Sequence, residues 1–171
     1  MDKRVGHGPL GRDHQQPPTE RGVVDLADAR VRIRSRAKPT AESLTRDLDE
    51  VRSLLDQGLS TEAKDRLTLL ISNARYNPTI LALSRCALST ALEQQGHYRD
   101  SLAAVSMYET PESRAKLDDQ TVSYLRVQIG LAYNYNGDHP KAIAMLKSTL
   151  RDYAESGATN LGHIYAALSR V

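Results

Sequence analysis

The chain has 171 residues, enough for one domain and an appendage. Its formal net charge of +2 is too small to indicate a class of partner, and its single cysteine, Cys86, excludes an intramolecular disulfide. Phenylalanine and tryptophan are absent, so a core must be built from Leu, Ile, Val, Ala and Tyr. This composition suits thin two-layer helix packing. No stretch is long and apolar enough to predict a membrane span.

Residues 1–39 have the composition of a disordered tail. The segment is rich in Gly, Pro, Gln and charged residues, and it has almost no aliphatic residues before Val23. Such a segment cannot bury enough apolar surface to offset its ordering entropy. It lacks the apolar run of a secretory signal, and its interspersed acidic residues are not typical of a mitochondrial presequence. We therefore expect a disordered basic tail and a cytoplasmic protein.

A run of basic residues ends this tail. Its members, with no acidic residue among them, are Arg30, Arg32, Arg34, Arg36 and Lys38. Such an arm could contact the phosphates of nucleic acid or the headgroups of anionic lipid. No aromatic stacking residue accompanies it, so the favoured interpretation is a solvated linker before the first helix. Nucleic acid is therefore the less favoured partner, and we expect no membrane contact.

Residues 40–171 carry apolar residues at helical spacing and predict an all-α domain. The pattern predicts helix hairpins over about 40–77, 79–109 and 117–155, and a final lone helix over 159–171. Thr40 and Asp138 are expected to act as N-caps. The connector 108–113 is polar and interrupted by Pro111, and is expected to be a loop.

Three glycines separate the two helices of these hairpins and recur about every forty residues, which is typical of repeat architectures. The glycines are Gly58, Gly96 and Gly137. The residues five positions after them are small, and those nine positions after them are aliphatic. These matched positions are Ala63, Ser101 and Ala142, and then Leu67, Val105 and Leu146. Each hairpin alone would leave an apolar face, so neighbouring hairpins must stack to bury it.

At these positions the chain resembles the tetratricopeptide repeat family, as a variant with a period nearer forty than thirty-four residues. The third hairpin matches the family's Leu-Gly…Tyr…Gly…Ala…Phe pattern most closely, through Ile129, Gly130, Tyr133, Gly137, Ala142 and Leu146. The resemblance implies a right-handed α-solenoid of antiparallel helix hairpins. It covers the chain from about Ala41 to the end.

In this family, the first helices of the hairpins line a concave groove that takes extended peptides or a partner's helix. By register, the resemblance implies a groove lined by Thr45, Asp49, Arg52, Cys86, Thr90, Gln94, Tyr124, Gln128, Leu131 and Tyr135. Members that capture a C-terminal carboxylate use a Lys/Asn/Arg set at these places. The residues found where the Asn and Lys of that set would be needed are Cys86, Thr90, Val127 and Leu131. That specific activity is therefore not expected.

Motifs that carry chemistry are absent from the sequence. It has no phosphate-binding Gly-x-x-x-x-Gly-Lys loop, no His-Glu-x-x-His and no paired cysteines. His97 and His139 fall in equivalent turns but lack a third type of metal ligand nearby. We interpret Cys86 as a small buried or groove-facing apolar residue. We expect no catalytic residue, no metal and no cofactor.

These patterns favour a non-catalytic protein–protein interaction scaffold or sensor module in signalling or regulation. The apolar stripe of the final helix lacks a partner helix, so we expect the chain to be part of a larger polypeptide or to associate with itself there. One alternative is a regulatory or nucleic-acid-associated module that uses the basic residues Arg30–Lys38. Another is an accessory region of an enzyme whose catalytic domain lies beyond Val171.

Overall fold

The structure, a computed structural model, describes residues 38–155 and 161–171. The expected disordered tail, with the basic residues Arg30–Arg36, lies outside the described residues apart from Lys38 and Pro39. Every regular element in the described ranges is a helix and none is a strand, so the all-α class is confirmed. The α-helices are α1 (Ala41–Asp56), α2 (Ser60–Asn73), α3 (Pro78–Gln94), α4 (Tyr98–Val105), α5 (Pro111–Arg114), α6 (Asp119–Tyr135), α7 (His139–Glu155) and α8 (Gly162–Leu168).

Three pairs of helices pack as antiparallel hairpins: α1 with α2, α3 with α4, and α6 with α7. In the third pair, Arg126 in the middle of α6 bonds Asp152 near the end of α7. Further along α6, Gly130 lies against Leu146, which is earlier in α7. The order of these contacts shows that the two helices run in opposite directions.

The same turn closes each of the three hairpins. Gly58, Gly96 and Gly137 have φ angles of 74°, 76° and 80°, a left-handed conformation that glycine adopts without steric cost. In each turn, the amide after the glycine donates to the carbonyl five positions earlier, at N···O distances of 2.9, 2.8 and 3.0 Å. This Schellman arrangement satisfies carbonyls that the helix end leaves without partners.

The positions matched in sequence also share one environment. The small and aliphatic residues that follow the three glycines by five and nine positions are all fully buried: Ala63, Ser101, Ala142, Leu67, Val105 and Leu146. Small residues at the first of these positions let the two helices approach closely. The period in the sequence thus corresponds to a period in packing.

The core of each hairpin also includes side chains from a helix that follows it: α3 for the first hairpin, α6 for the second and α8 for the third. One buried cluster joins α1, α2 and α3, and includes Leu48, Leu67 and Ala87. A second joins α3 and α4 to α6, and a third joins α6 and α7 to α8. Apolar burial at about 25 cal/mol per Å² is the main favourable contribution at these contacts. Helices therefore pack within their own hairpin and against the adjacent one, and α3 contacts both α1 and α6.

The first helices of the three hairpins have side-chain caps. The caps are Thr40, Asn77 and Asp118, and each accepts the amide of the third residue after it, at 3.1, 3.1 and 2.8 Å. By contrast, α2 and α4 have no side-chain cap, and their N-cap residues are Leu59 and His97. The expected N-cap of α7 is also present, since Asp138 Oδ1 accepts the amide of Lys141 at 3.3 Å.

The connector expected as a loop contains regular structure. A 3₁₀ turn at Ser106–Tyr108 is followed by α5, in which Pro111 takes the first turn and Thr110 caps. The Arg114 side chain donates to the Tyr108 and Glu109 carbonyls at 2.6 and 2.8 Å. These bonds close the segment on itself, so Pro111 and the polar residues produce a compact connector instead of an open loop.

The last helix, α8, is shorter in the structure than the expected span of 159–171. Ile164 and Ala167 are buried against α6 and α7, whereas Tyr165 is exposed. The apolar stripe expected on this helix therefore has a buried side and an exposed side. In the part of the chain that the structure describes, no helix combines the length and apolar character needed to cross a bilayer.

Candidate functional site

A groove of about 720 Å³ runs along the first helices of the hairpins. Its walls come from α1, α3, α6 and α8. The lining residues are Arg52, Leu55, Asp56, Thr79, Leu83, Cys86, Ala87, Thr90, Asp118, Gln120, Thr121, Tyr124, Val127, Gln128 and His163. The volume is that of a site for a small molecule or a few residues of peptide.

Apolar side chains form part of the groove surface. Leu55, Leu83, Ala87 and Val127 come from three different helices and are buried or half-buried. Each also packs in the cores between hairpins or beside them. The groove surface is therefore held by the same packing that holds the fold, and a ligand would meet a preformed apolar surface.

A buried polar network lies behind the groove at the junction of α3, α4 and α6. The Gln128 side chain, 9% exposed, donates from Nε2 to Glu93 Oε1 at 2.8 Å and to Ser89 Oγ at 3.1 Å. Ser101 Oγ also donates to Glu93 Oε1, at 2.8 Å. Burial raises the pKa of the Glu93 carboxyl, and these hydrogen bonds only partly oppose that shift.

Three ionisable side chains of α1 and α6 give the groove its charge. Arg52 pairs with Asp49 at 3.3 Å, outside the groove lining. Asp56 forms no hydrogen bond or ion pair with the described residues. Asp118 caps α6, and the bond from the Thr121 amide is the main reason that its carboxyl pKa lies below the ordinary value. The groove therefore carries two carboxylates and one guanidinium.

An aromatic wall closes the end of the groove at α8. The His163 ring lies 4.9 Å from the Tyr124 ring and 6.2 Å from the Tyr153 ring, measured between centroids. His163 Nε2 is also 3.1 Å from Ser123 Oγ. Burial lowers the pKa of His163, so its imidazole is mainly neutral at neutral pH. Ser123 is buried within α6, so this hydrogen bond fixes the His163 ring and the Ser123 hydroxyl is not exposed to the groove.

Half of the residues expected to line a groove lie together in this one. They are Arg52, Cys86, Thr90, Tyr124 and Gln128. Thr45 and Asp49 line a separate, shallower cavity along α1. Gln94 lies at the end of α3, where its Nε2 donates to the Leu55 carbonyl at 3.2 Å.

Two expected lining residues lie elsewhere in the fold. Leu131 is buried in the core between α6, α7 and α8, because α8 covers that turn of α6. Tyr135 lies at the turn edge, where its ring stacks on Tyr98 with centroids 5.4 Å apart. Residues nearer the start of α6, among them Asp118 and Gln120, take their place in the groove.

Three other lining residues were not predicted from the sequence. Asp56 is the last residue of α1, His163 lies on α8, and Val127 lies beside an expected position on α6. Their place depends on how the helices cross and on where α8 packs, which hydrophobic spacing does not determine. Gln120 differs from these three residues, because it lies four positions before Tyr124, and Gln128 lies four positions after Tyr124. This regular spacing could have indicated Gln120 as a lining residue.

The structure places Cys86 in the groove lining, where it is half-buried. Burial raises the pKa of its thiol to about 12, and the positive charge of Arg52 opposes this only weakly. A nucleophilic cysteine requires a lowered pKa. Cys86 therefore contributes apolar surface at neutral pH. Across the described ranges, no group of three or more His, Cys, Asp or Glu side chains is arranged to hold a metal ion.

Comparison with known proteins returned no matching family model, no similar curated protein and no similar solved structure.

Proposed function

We propose that this protein is a non-catalytic interaction module that binds an extended peptide or a partner's helix in the groove formed by α1, α3, α6 and α8. In this proposal the hairpins form a right-handed α-solenoid similar to tetratricopeptide repeats. The observation that carries the proposal is the groove itself, which is lined by successive first helices and backed by well-packed cores.

The proposed module acts as a scaffold or sensor in a signalling or regulatory assembly of the cytoplasm. Its lining supports binding more readily than chemistry. The thiol has a raised pKa, the Ser123 hydroxyl is buried, and the Asp118 carboxylate is occupied in capping α6. The lining is a partly apolar surface with polar groups at fixed positions. In peptide-binding grooves, such a surface provides affinity and the fixed polar groups provide specificity.

Affinity capture with the full chain tests this proposal. Tyr124 is 42% exposed in the groove, and Tyr98 is 41% exposed at the turn edge, so the two tyrosines form a matched pair. We expect Tyr124→Ala to lose a captured partner that Tyr98→Ala retains, with both variants still helical by circular dichroism. A partner lost only with Tyr98→Ala would place binding at the turn edge and overturn the groove assignment.

A further inference from the structure

The groove presents hydrogen-bond acceptors whose neighbouring donors are already used. Both protons of the Gln128 amide nitrogen are directed away from the groove, to Glu93 and Ser89. This orientation leaves Gln128 Oε1 on the groove side, where its contact is Thr90 Oγ1 at 3.4 Å. The Thr90 hydroxyl has a second acceptor in the Cys86 carbonyl at 3.2 Å. A ligand therefore meets an amide oxygen with accepting capacity and no free amide donor beside it.

The charges of the groove lining also favour a ligand that carries a positive charge. Asp56 stands at the C-terminal end of α1, where the helix dipole is negative and no basic residue occupies the last turn. The carboxylate has no cationic partner among the described residues. The one guanidinium of the lining, that of Arg52, is paired with Asp49. A cation placed beside Asp56 would therefore interact favourably with both the carboxylate and the helix end.

We infer that the groove selects peptide segments in which a lysine or arginine is flanked by apolar side chains. This inference rests on the proposed peptide-binding function and specifies its ligand. The apolar residues of the segment pack on Leu83, Ala87 and Val127, and the basic side chain reaches Asp56. Lysine and arginine carry only donors, so they match the Gln128 Oε1 acceptor and the Asp56 carboxylate of the lining. Glu93 acts as a positioning residue, since it holds the Gln128 amide in its orientation.

A random dodecapeptide library displayed on phage and selected against the full chain tests this assignment. We expect enriched peptides to share a lysine or arginine at a fixed distance from apolar residues. The formal net charge of the protein is only +2, which is too small by itself to produce a strong selection for either sign of charge. Enriched peptides without a basic residue would overturn the ligand class and leave peptide binding intact. No enrichment at all would overturn both proposals.

A paired charge reversal gives the sharper result. Asp56→Arg places a cation in the groove, whereas Asp65→Arg makes the same change on the exposed surface of α2. We expect the selected peptide, measured by fluorescence anisotropy, to bind Asp56→Arg at least about tenfold more weakly and Asp65→Arg within about twofold of the unmodified chain. Equal weakening by both substitutions would show that binding follows overall charge, and would overturn the assignment to Asp56.

Discussion

Glu93 is a half-buried carboxyl group that accepts hydrogen bonds from several helices. Its Oε1 atom accepts bonds from three side chains, Ser89, Ser101 and Gln128, on three helices. Burial nevertheless raises its pKa, because taking a carboxylate out of water costs more than these neutral donors return. The sequence could not predict this network. A glutamate at the end of an amphipathic helix is usually solvated, and only the packing of α6 on α3 encloses it.

The raised pKa of Glu93 has a measurable effect on stability. A carboxyl whose folded-state pKa lies above its unfolded value favours the fold when protonated, and this stabilisation is lost as pH rises from about 4.5 through the folded pKa. Glutamine does not titrate. We therefore expect the unfolding free energy of the unmodified chain, relative to Glu93→Gln, to fall across that window, as measured by urea unfolding.

Glu155→Gln serves as the control for this titration, since Glu155 is exposed at the end of α7. Carboxyl groups with lowered pKa, such as Asp118, cancel in the comparison because both chains contain them. The unfolding free energies of the unmodified chain and of Glu93→Gln could instead differ by a constant amount from about pH 4.5 to 8. That result would contradict a raised pKa of the Glu93 carboxyl in the folded state.

At the scale of elements, the contact between α6 and α7 depends on a glycine within a helix. A β-carbon added at Gly130 would lie 2.8 Å from Leu146 Cγ and 2.9 Å from Leu146 Cδ2. Alanine favours the helix by up to about 1 kcal/mol, but overpacking a core costs about 1–3 kcal/mol. We expect Gly130→Ala to lower the unfolding free energy by about 1–2 kcal/mol, as measured by thermal or urea unfolding.

A double-mutant cycle with Leu146→Ala separates the two effects. Once the branched end of Leu146 is removed, the added β-carbon of Gly130→Ala meets no side chain at that point. The glycine substitution should then become neutral or stabilising. Additive destabilisation in the double variant would mean that the strain arises elsewhere along the helix.

Helix ends show how far local sequence determines these elements. Thr40 and Asp138 cap their helices as expected from sequence, and the three turn glycines have the left-handed φ that their spacing indicated. Such features depend on a few adjacent residues. By contrast, α5 was not expected, because the side chain that stabilises the connector, Arg114, bonds carbonyls five and six positions before it.

At the scale of the molecule, the principal contacts lie within one hairpin or between adjacent hairpins. Stability in such an arrangement is approximately a sum of local and nearest-neighbour contributions. We expect Leu67→Ala, which creates a cavity between α1, α2 and α3, to accelerate hydrogen exchange in α1 and α2 much more than in α7.

Leu146→Ala provides the matched change in the third hairpin, since both leucines are fully buried at equivalent positions. It should accelerate exchange in α6 and α7 and leave α1 nearly unchanged. Equal acceleration of every helix by either substitution would show that the described residues open only as one cooperative unit.

The groove was predicted less completely than the helices. Arg52, Cys86 and Tyr124 were placed by register alone, and all three line it. Leu131 was misplaced because α8 packs over that turn of α6 and buries it. Register gives the face of a helix, whereas the part of that face left open depends on which neighbour covers it. Which part of the face stays open is set by packing between elements far apart in sequence.

The position of Cys86 has a consequence for labelling the molecule. Because burial raises the pKa of its thiol to about 12, its thiolate population at neutral pH lies far below that of an ordinary thiol. Maleimides and iodoacetamides react with the thiolate form. A second cysteine introduced on an exposed helix face would therefore be modified first. Fluorophores and spin labels can thus be attached at chosen points while the only native cysteine stays in place.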